Sequence, residues 1–320
     1  MGAFKGSKTV SYFEWQTVLL IAACYSFWFV LILAGETMSL WFLIPLLAIT
    51  TTLHLSIVHE VVHGHPTSSP VLNQLLVSLP ISWIFPFERF RDTHLQHHET
   101  GELTDPLDDP ESWYVYTKEW VNFGYPLKLV LTFNNTLAGR MLIGPTITLL
   151  RFYASEVATF ASKPWMRTYM LRVWGIHFLL CSLLILLITR YGSHPGWVYA
   201  LSAYAGLSIL LIRTFLEHQA AEDHSERTVI IEMSCPIAFL FLFNNLHALH
   251  HEKPGIAWYR LPATYKAMRT ELLARNKYYV YSSYAEIFRR YFFRPKEPVE
   301  FPLEAKSLRP SVKLVKAGHS

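Results

Sequence analysis

The stretch MSLWFLIPLLAITTTLHLSIVHEVVHGH, Met38 to His65, runs uncharged from Met38 to Val58 and then delivers His59, His63 and His65 without a break. An apolar helix rising 1.5 Å per residue needs about 20 residues to cross a bilayer core of about 30 Å, and this run is long enough. His59 and His63 stand four apart, so on that helix they share one face. The stretch therefore reads as a membrane helix whose last turns present a pair of imidazoles at the membrane boundary.

Outward from it, similar uncharged runs extend from Trp15 to Gly35, Val173 to Thr189 and Trp197 to Ile212. The expected architecture is an all-α integral membrane protein with about four transmembrane helices, near residues 15–35, 38–59, 172–190 and 197–217. The segments 60–171 and 218–320 then form a helical cap on one side, all within a single domain. The 320 residues are 52% hydrophobic and 16% charged, which excludes disorder and collagen-like repeats. Cys24, Cys181 and Cys235 are too few and too scattered for a disulfide framework and read as small buried hydrophobes. A net charge of +4 without a basic stripe gives no support for nucleic-acid binding.

Charge orients the bundle. Only Arg190 of the Lys and Arg residues falls in the two short loops, whereas Lys5, Lys8, Lys163, Arg167 and Arg172 lie on the opposite side, which the positive-inside rule makes cytoplasmic together with both termini. The first run, longer than a signal-peptide core and followed by no A-x-A site, is read as a retained anchor. Val71 to Phe87, broken by Pro80 and Pro86, and Met233 to Leu246, with Pro236, are expected to dip into or lie on the membrane rather than cross it. Pro262 to Arg294 interleaves tyrosines with basic residues and suits either the headgroup region or a self-packed cap, and the last twenty residues read as a flexible tail.

The fifteen histidines are not scattered. His94, His97 and His98 form one HxxHH box and His247, His250 and His251 repeat it, joining His59 and His63, with His218 alone after the fourth run. At this histidine frequency roughly 0.03 HxxHH boxes are expected by chance per chain. Positions i, i+3 and i+4 aim three imidazoles at one point, and an imidazole-only donor set suits iron, zinc or copper rather than magnesium or calcium. Eight or nine ligands exceed the needs of one ion and imply two metals. His65 and His224 are possible additional ligands, while His54, His177, His194 and His319 read as structural or exposed.

HEVVHGH, HLQHHE and NNLHALHHE resemble the three histidine boxes of the membrane-bound fatty acid desaturase superfamily, which includes desaturases, hydroxylases and carotenoid ketolases; TDPLDDPESWY (104–114) and WYRLP (258–262) are similar to segments of its bacterial members. The resemblance implies a bacterial inner-membrane enzyme with two non-haem iron ions held by His59, His63, His94, His97, His98, His218, His247, His250 and His251. It implies O2 as co-substrate. In the acyl-CoA members an asparagine four residues before the lone histidine reaches a metal through water; here that position is Thr214.

Near the boxes, Glu60, Asp92, Glu99 and Glu252 are candidates to accept the second N–H of a ligating imidazole. Arg213 is expected to snorkel to the interface or meet a headgroup or thioester phosphate, and Asp105, Asp108 and Asp109 to make Pro-punctuated turns. Residues 59–63 are also an HExxH motif, so an intramembrane zinc metalloprotease is a rival of another class, though it leaves both HxxHH boxes unexplained. A transporter would place its polar groups nearer the bilayer midplane. His194-Pro195-Gly196 shares three letters with a haem-binding motif but reads as a turn, so electrons are expected from an external donor of ferredoxin or cytochrome b5 type. The expected reaction is oxygen-dependent insertion of a double bond into a fatty acyl lipid or acyl thioester; hydroxylation or ketolation is the alternative. The substrate channel is expected among the spans and Val71 to Phe87, in contact with membrane lipids.

Overall fold

The computed structural model describes residues 12–303. Lys5, Lys8, His319 and the expected tail beyond residue 303 lie outside the described residues. Among the described residues four helices are long and apolar enough to cross a membrane, over Trp15–Leu33, Leu40–Val62, Pro164–Tyr191 and Gly196–Thr214.

Helix α1 (Trp15–Ala34) buries Ile21, Cys24, Trp28 and Leu31, a three-and-four spacing that forms one stripe, and leaves Leu19, Phe27, Val30 and Leu33 exposed. On a soluble protein such a face would be a liability; on this one it is where acyl chains pack. α2 (Leu40–Val62) starts at Ser39, whose hydroxyl accepts the Trp41 N–H, and is the most enclosed of the four. It runs three residues past the expected end at 59, so both His59 and Glu60 are helical.

α3 (Pro70–Val77) is capped by Ser69 and has Pro70 in its first turn; its eight residues span about 12 Å, too short to cross. The chain then turns through Trp83, at φ 60°, into α4 (Phe87–Glu99), so the Val71 to Phe87 stretch does not span. The long connection onward holds helices that composition alone did not show: α5 (Thr117–Asn122), α6 (Tyr125–Asn134), α7 (Leu137–Leu142) and α8 (Gly144–Ser162). α6 exposes Tyr125, Leu127, Leu129, Val130 and Phe133, an apolar surface on a helix of only ten residues.

α9 (Arg167–Tyr191) begins before the expected residue 172, because Arg167 turns back to donate to the Phe160 and Ala161 carbonyls at the end of α8 instead of interrupting the helix. α10 (Gly196–Thr214) stops short of the expected 217. α2 packs mainly on α10, and Gly206 is the reason they approach so closely: a Cβ there would sit 2.7 Å from Thr51 Cβ and 2.9 Å from the Ala48 carbonyl oxygen. Thr52 Oγ1 donates across the same contact to the Gly206 carbonyl at 2.9 Å. At the loop end, His194 Nε2 lies 2.9 Å from the Gly35 carbonyl oxygen, which ties the two short connections together and accounts for His194 as a structural turn residue.

After α10 come α11 (Pro236–Leu240), α12 (His247–Glu252), α13 (Leu261–Arg275) and α14 (Tyr284–Tyr291). The all-α expectation holds apart from a two-stranded parallel ladder, β1 (Ile230–Ile231) against β2 (Val280–Tyr281), with Ile230 opposite Val280. Tyr279, Tyr281 and Tyr284 are buried in this cap, with the Tyr279 hydroxyl donating to the Leu216 carbonyl at 2.7 Å, whereas Tyr278 and Phe293 are exposed. The aromatic stretch thus both packs on itself and shows an apolar fringe.

Candidate metal centre

Four elements converge at the end of the bundle away from the two short loops. α2 brings His59 in its last turns and His63 as its C-cap; α4 ends in His94, His97 and His98; His218 follows α10 by four residues; α12 supplies His247, His250 and His251. The nine side chains form two adjoining groups in which the ligand atoms lie within 4.8 Å of one another: His59, His63, His94, His98 and His250 in one, His97, His218, His247 and His251 in the other. The rings of His98 and His251 stack at 4.1 Å, one from each group.

The hydrogen-bonding chemistry of these rings fits metal ions. Glu111 stands 2.7 Å from His94 Nδ1 and Asp109 stands 2.7 Å from His97 Nδ1. An ionised carboxylate only accepts, so Nδ1 carries a proton and Nε2 is left as the nitrogen that can face a metal at the centre. There His94 Nε2 meets His63 and His98 Nε2 at 3.1 Å each, and His218 Nε2 meets His97 and His247 Nε2 at 3.0 Å each. Two imidazole nitrogens this close either share a proton between them or turn both lone pairs to a bound cation. His59, His250 and His251 each hold a buried Nε2 with no hydrogen-bond partner among the described residues.

Burial first, and then the neighbouring imidazoles, drive His63, His247, His250 and His251 well below the ordinary histidine value, which keeps them in the neutral form that binds metal. His97 is the exception: burial opposes its charge, but Glu111 and Asp109 outweigh that and push it up to about 9. Glu111 itself, despite the penalty of burial, is held below the usual carboxylate range by His94 and His97. Burial lifts Glu217 to about 7 even with Arg213 beside it.

Of the additional ligands considered, neither joins the nine. His224 is exposed on a short turn, and His65 groups with Glu14 and Glu60, its Nδ1 2.8 Å from Glu14. The outer carboxylates are also corrected. Asp92 pairs with Arg89 and Arg91 at 3.0 Å and accepts from the Tyr169 hydroxyl; Glu252 pairs with Arg275 at 2.6 Å; Glu99 is exposed; Glu60 accepts the Trp258 backbone N–H at 2.8 Å. Glu99 and Glu252 each follow the last histidine of a box by one residue, which on a helix rotates them about 100° off the metal-facing side. The partners that the sequence did not reveal are Asp109, Glu111 and Asn244, whose Oδ1 lies 3.2 Å from His247 Nδ1. Asp109 does make the expected turn, accepting the Thr104 and Glu111 N–H groups, and holds His97 as well. Arg213 does not snorkel; it is buried and paired with Glu217 at 2.9 Å.

A cavity of about 770 Å³ opens beside the histidines, touching His59, His94 and His218. Phe85 is its only wall from the Val71 to Phe87 stretch, the expected place of the channel; the loop from Thr104 to Tyr114 and helices α4, α8 and α10 supply most of the rest. Thr214 lines it, with a buried Oγ1 that has no hydrogen-bond partner among the described residues. A family model described as fatty acid desaturase matches residues 35–283, from the first short loop through β2. No curated protein matches the chain.

Proposed function

The chain belongs to the fatty acid desaturase family, a membrane oxidoreductase of the desaturase type, and from that premise we propose that it inserts a double bond into a long-chain fatty acyl lipid or acyl thioester, using O2 at two iron ions. The observation that carries this reading is the convergence of nine imidazole nitrogens in two groups, with orphaned Nε2 atoms at His59, His250 and His251. A nitrogen-only set suits iron, and its two-part division suits two ions. Bound there, the pair would supply oxygen-dependent removal of two hydrogens from an unactivated alkyl chain.

The chain's own residues do the remaining work. Glu111 and Asp109 retain the Nδ1 protons of His94 and His97 and so fix which nitrogen of each ring faces inward. Leu55, Phe85, Phe90, Leu207 and Leu211 line the cavity with apolar surface, which holds an alkyl segment against the histidines and excludes water. Glu60, the glutamate of the HExxH motif, is tied to Trp258 and grouped with Glu14 and His65, which argues against its use as the base of a zinc protease. The scarcity of positive charge in the loops at the other end supports a cytoplasmic metal centre, reached there by a ferredoxin- or cytochrome b5-type donor.

Mass spectrometry of total lipids tests this, with wild type and His250→Ala expressed side by side and both verified in the membrane. A product two hydrogens lighter, made only by the wild type, is expected. A product that gains oxygen moves the assignment to hydroxylase or ketolase, and one zinc in place of two irons in the purified protein refutes it.

A further inference from the structure

A guanidinium withdrawn from water keeps its proton, so it needs an anion or a full set of acceptors. Most cations around the cavity have a carboxylate beside them: Glu156 holds Arg89 at 2.7 and 2.8 Å, Glu217 stands 2.9 Å from Arg213, whose Nε and Nη1 make no hydrogen bond among the described residues, and Glu297 holds Lys296 at 2.7 Å. For Arg140 that provision is missing. The residue is 2% exposed, its Nε donates to the Asn134 carbonyl at 3.2 Å, and its Nη1 has no acceptor among the described residues. Its guanidinium carbon lies 3.6 Å from the centre of the Trp113 ring, and that of Arg151 lies 5.4 Å from the same ring. Arg151 donates through Nη2 to the Ser112 carbonyl at 2.5 Å, and neither arginine has a carboxylate at ion-pair distance among the described residues. Burial, and then the adjacent Arg151, push Arg140 down to about 9 with Glu297 opposing them only in part, so it stays cationic at neutral pH. Glu297, the acid that acts on it, is already shared between Lys296 and the Tyr114 hydroxyl.

We propose that Arg140, stacked on Trp113 and assisted by Arg151, binds the oxyanion of an acyl substrate's head, a carboxylate or a phosphate, in the same cavity that brings the alkyl chain to His59, His94 and His218. Both arginines line that cavity. Its volume of about 770 Å³ is that of a ligand site. A planar guanidinium matches two oxygens of either group with parallel N–H donors, and the indole face fixes its plane. The inference rests on the desaturase reading above and adds the chemical class of head group that the substrate carries.

The test is binding, measured on the full chain in alkyl maltoside micelles, which carry no anion of their own. The probes are hexadecanoate, hexadecyl phosphate and hexadecanol. The wild type is expected to bind at least one anionic probe about tenfold more tightly than the alcohol, the value of a charge-assisted hydrogen bond. Arg140→Gln should erase that preference and Arg151→Gln should reduce it. Preference for hexadecanoate alone marks a free carboxylate, and preference for the phosphate alone marks a phosphorylated head. Equal binding of all three probes by the wild type, a comparison that needs no variant to fold, overturns the proposal, as does an undiminished preference in Arg140→Gln. The two readings fail separately: lipids that lose hydrogen without any anion preference sink the head-group site alone, whereas an anion preference with lipids identical in wild type and His250→Ala sinks the desaturase reading.

Discussion

Replacing Asp109 with Asn changes one atom's worth of shape and removes one acceptor. The carboxylate is 1% exposed and satisfies three donors at once: His97 Nδ1–H at 2.7 Å and the Glu111 N–H at 2.9 Å on Oδ1, and the Thr104 N–H at 2.8 Å on Oδ2. An amide has a single oxygen. If that oxygen keeps His97, the new NH2 points at the Thr104 N–H, donor against donor; if it keeps Thr104, His97 loses its acceptor and the inward nitrogen no longer has a fixed lone pair. A hydrogen bond to a charged group contributes about 1.5–3 kcal/mol, or about one to two decades in an equilibrium constant. Loss of a carboxylate behind a ligating histidine accordingly costs about 10- to 100-fold in metal affinity. The assay is metal content against graded chelator on purified Asp109→Asn, beside Asp108→Asn, whose side chain is exposed one residue away. Size-exclusion profiles of both should match the wild type. Metal retention by Asp109→Asn within about twofold of the Asp108→Asn control would refute the inference that this hydrogen bond orients His97.

Gly206→Val places side-chain atoms where Thr51 and the Ala48 carbonyl already lie, so the α2–α10 contact must open, at a cost of about 1–3 kcal/mol or more; a thermal unfolding midpoint equal to the wild type's would contradict the close packing described. Glu99→Gln and Glu252→Gln touch neither histidine group and should leave metal content and turnover within about twofold, as surface substitutions do; a tenfold loss in either would return that carboxylate to the metal centre. Chelation should lower the unfolding midpoint, because metal bound at 100 times its Kd stabilises the folded chain by about 2.7 kcal/mol, and the same treatment of His251→Ala should lower it less.

The histidine boxes were legible because each is written within one helical turn: i, i+3 and i+4 converge whatever the rest of the chain does. That same geometry turns Glu99 and Glu252 away, since a residue beside a box histidine sits about 100° off its face, and it sets Arg213 and Glu217, four residues apart, on one face. Proximity in sequence was the wrong measure for both. The residues that do hold the imidazoles lie elsewhere. Asp109 reaches His97 across twelve residues and Glu111 reaches His94 across seventeen, through a Pro-punctuated loop with no repeat to fix where its side chains point. Arg140 lay equally out of reach, because its burial depends on α7 being enclosed by Trp113 and Phe215 from two distant segments. The four spans were readable from unbroken apolarity, whereas α6 and α8 carry Lys128, Arg151 and Glu156 among their apolar residues and so fall below that threshold. Of the two, α8 walls the cavity beside the histidines. In this chain the metal-facing atoms follow from local periodicity, while the groups that orient them and shape what approaches them follow from loop closure.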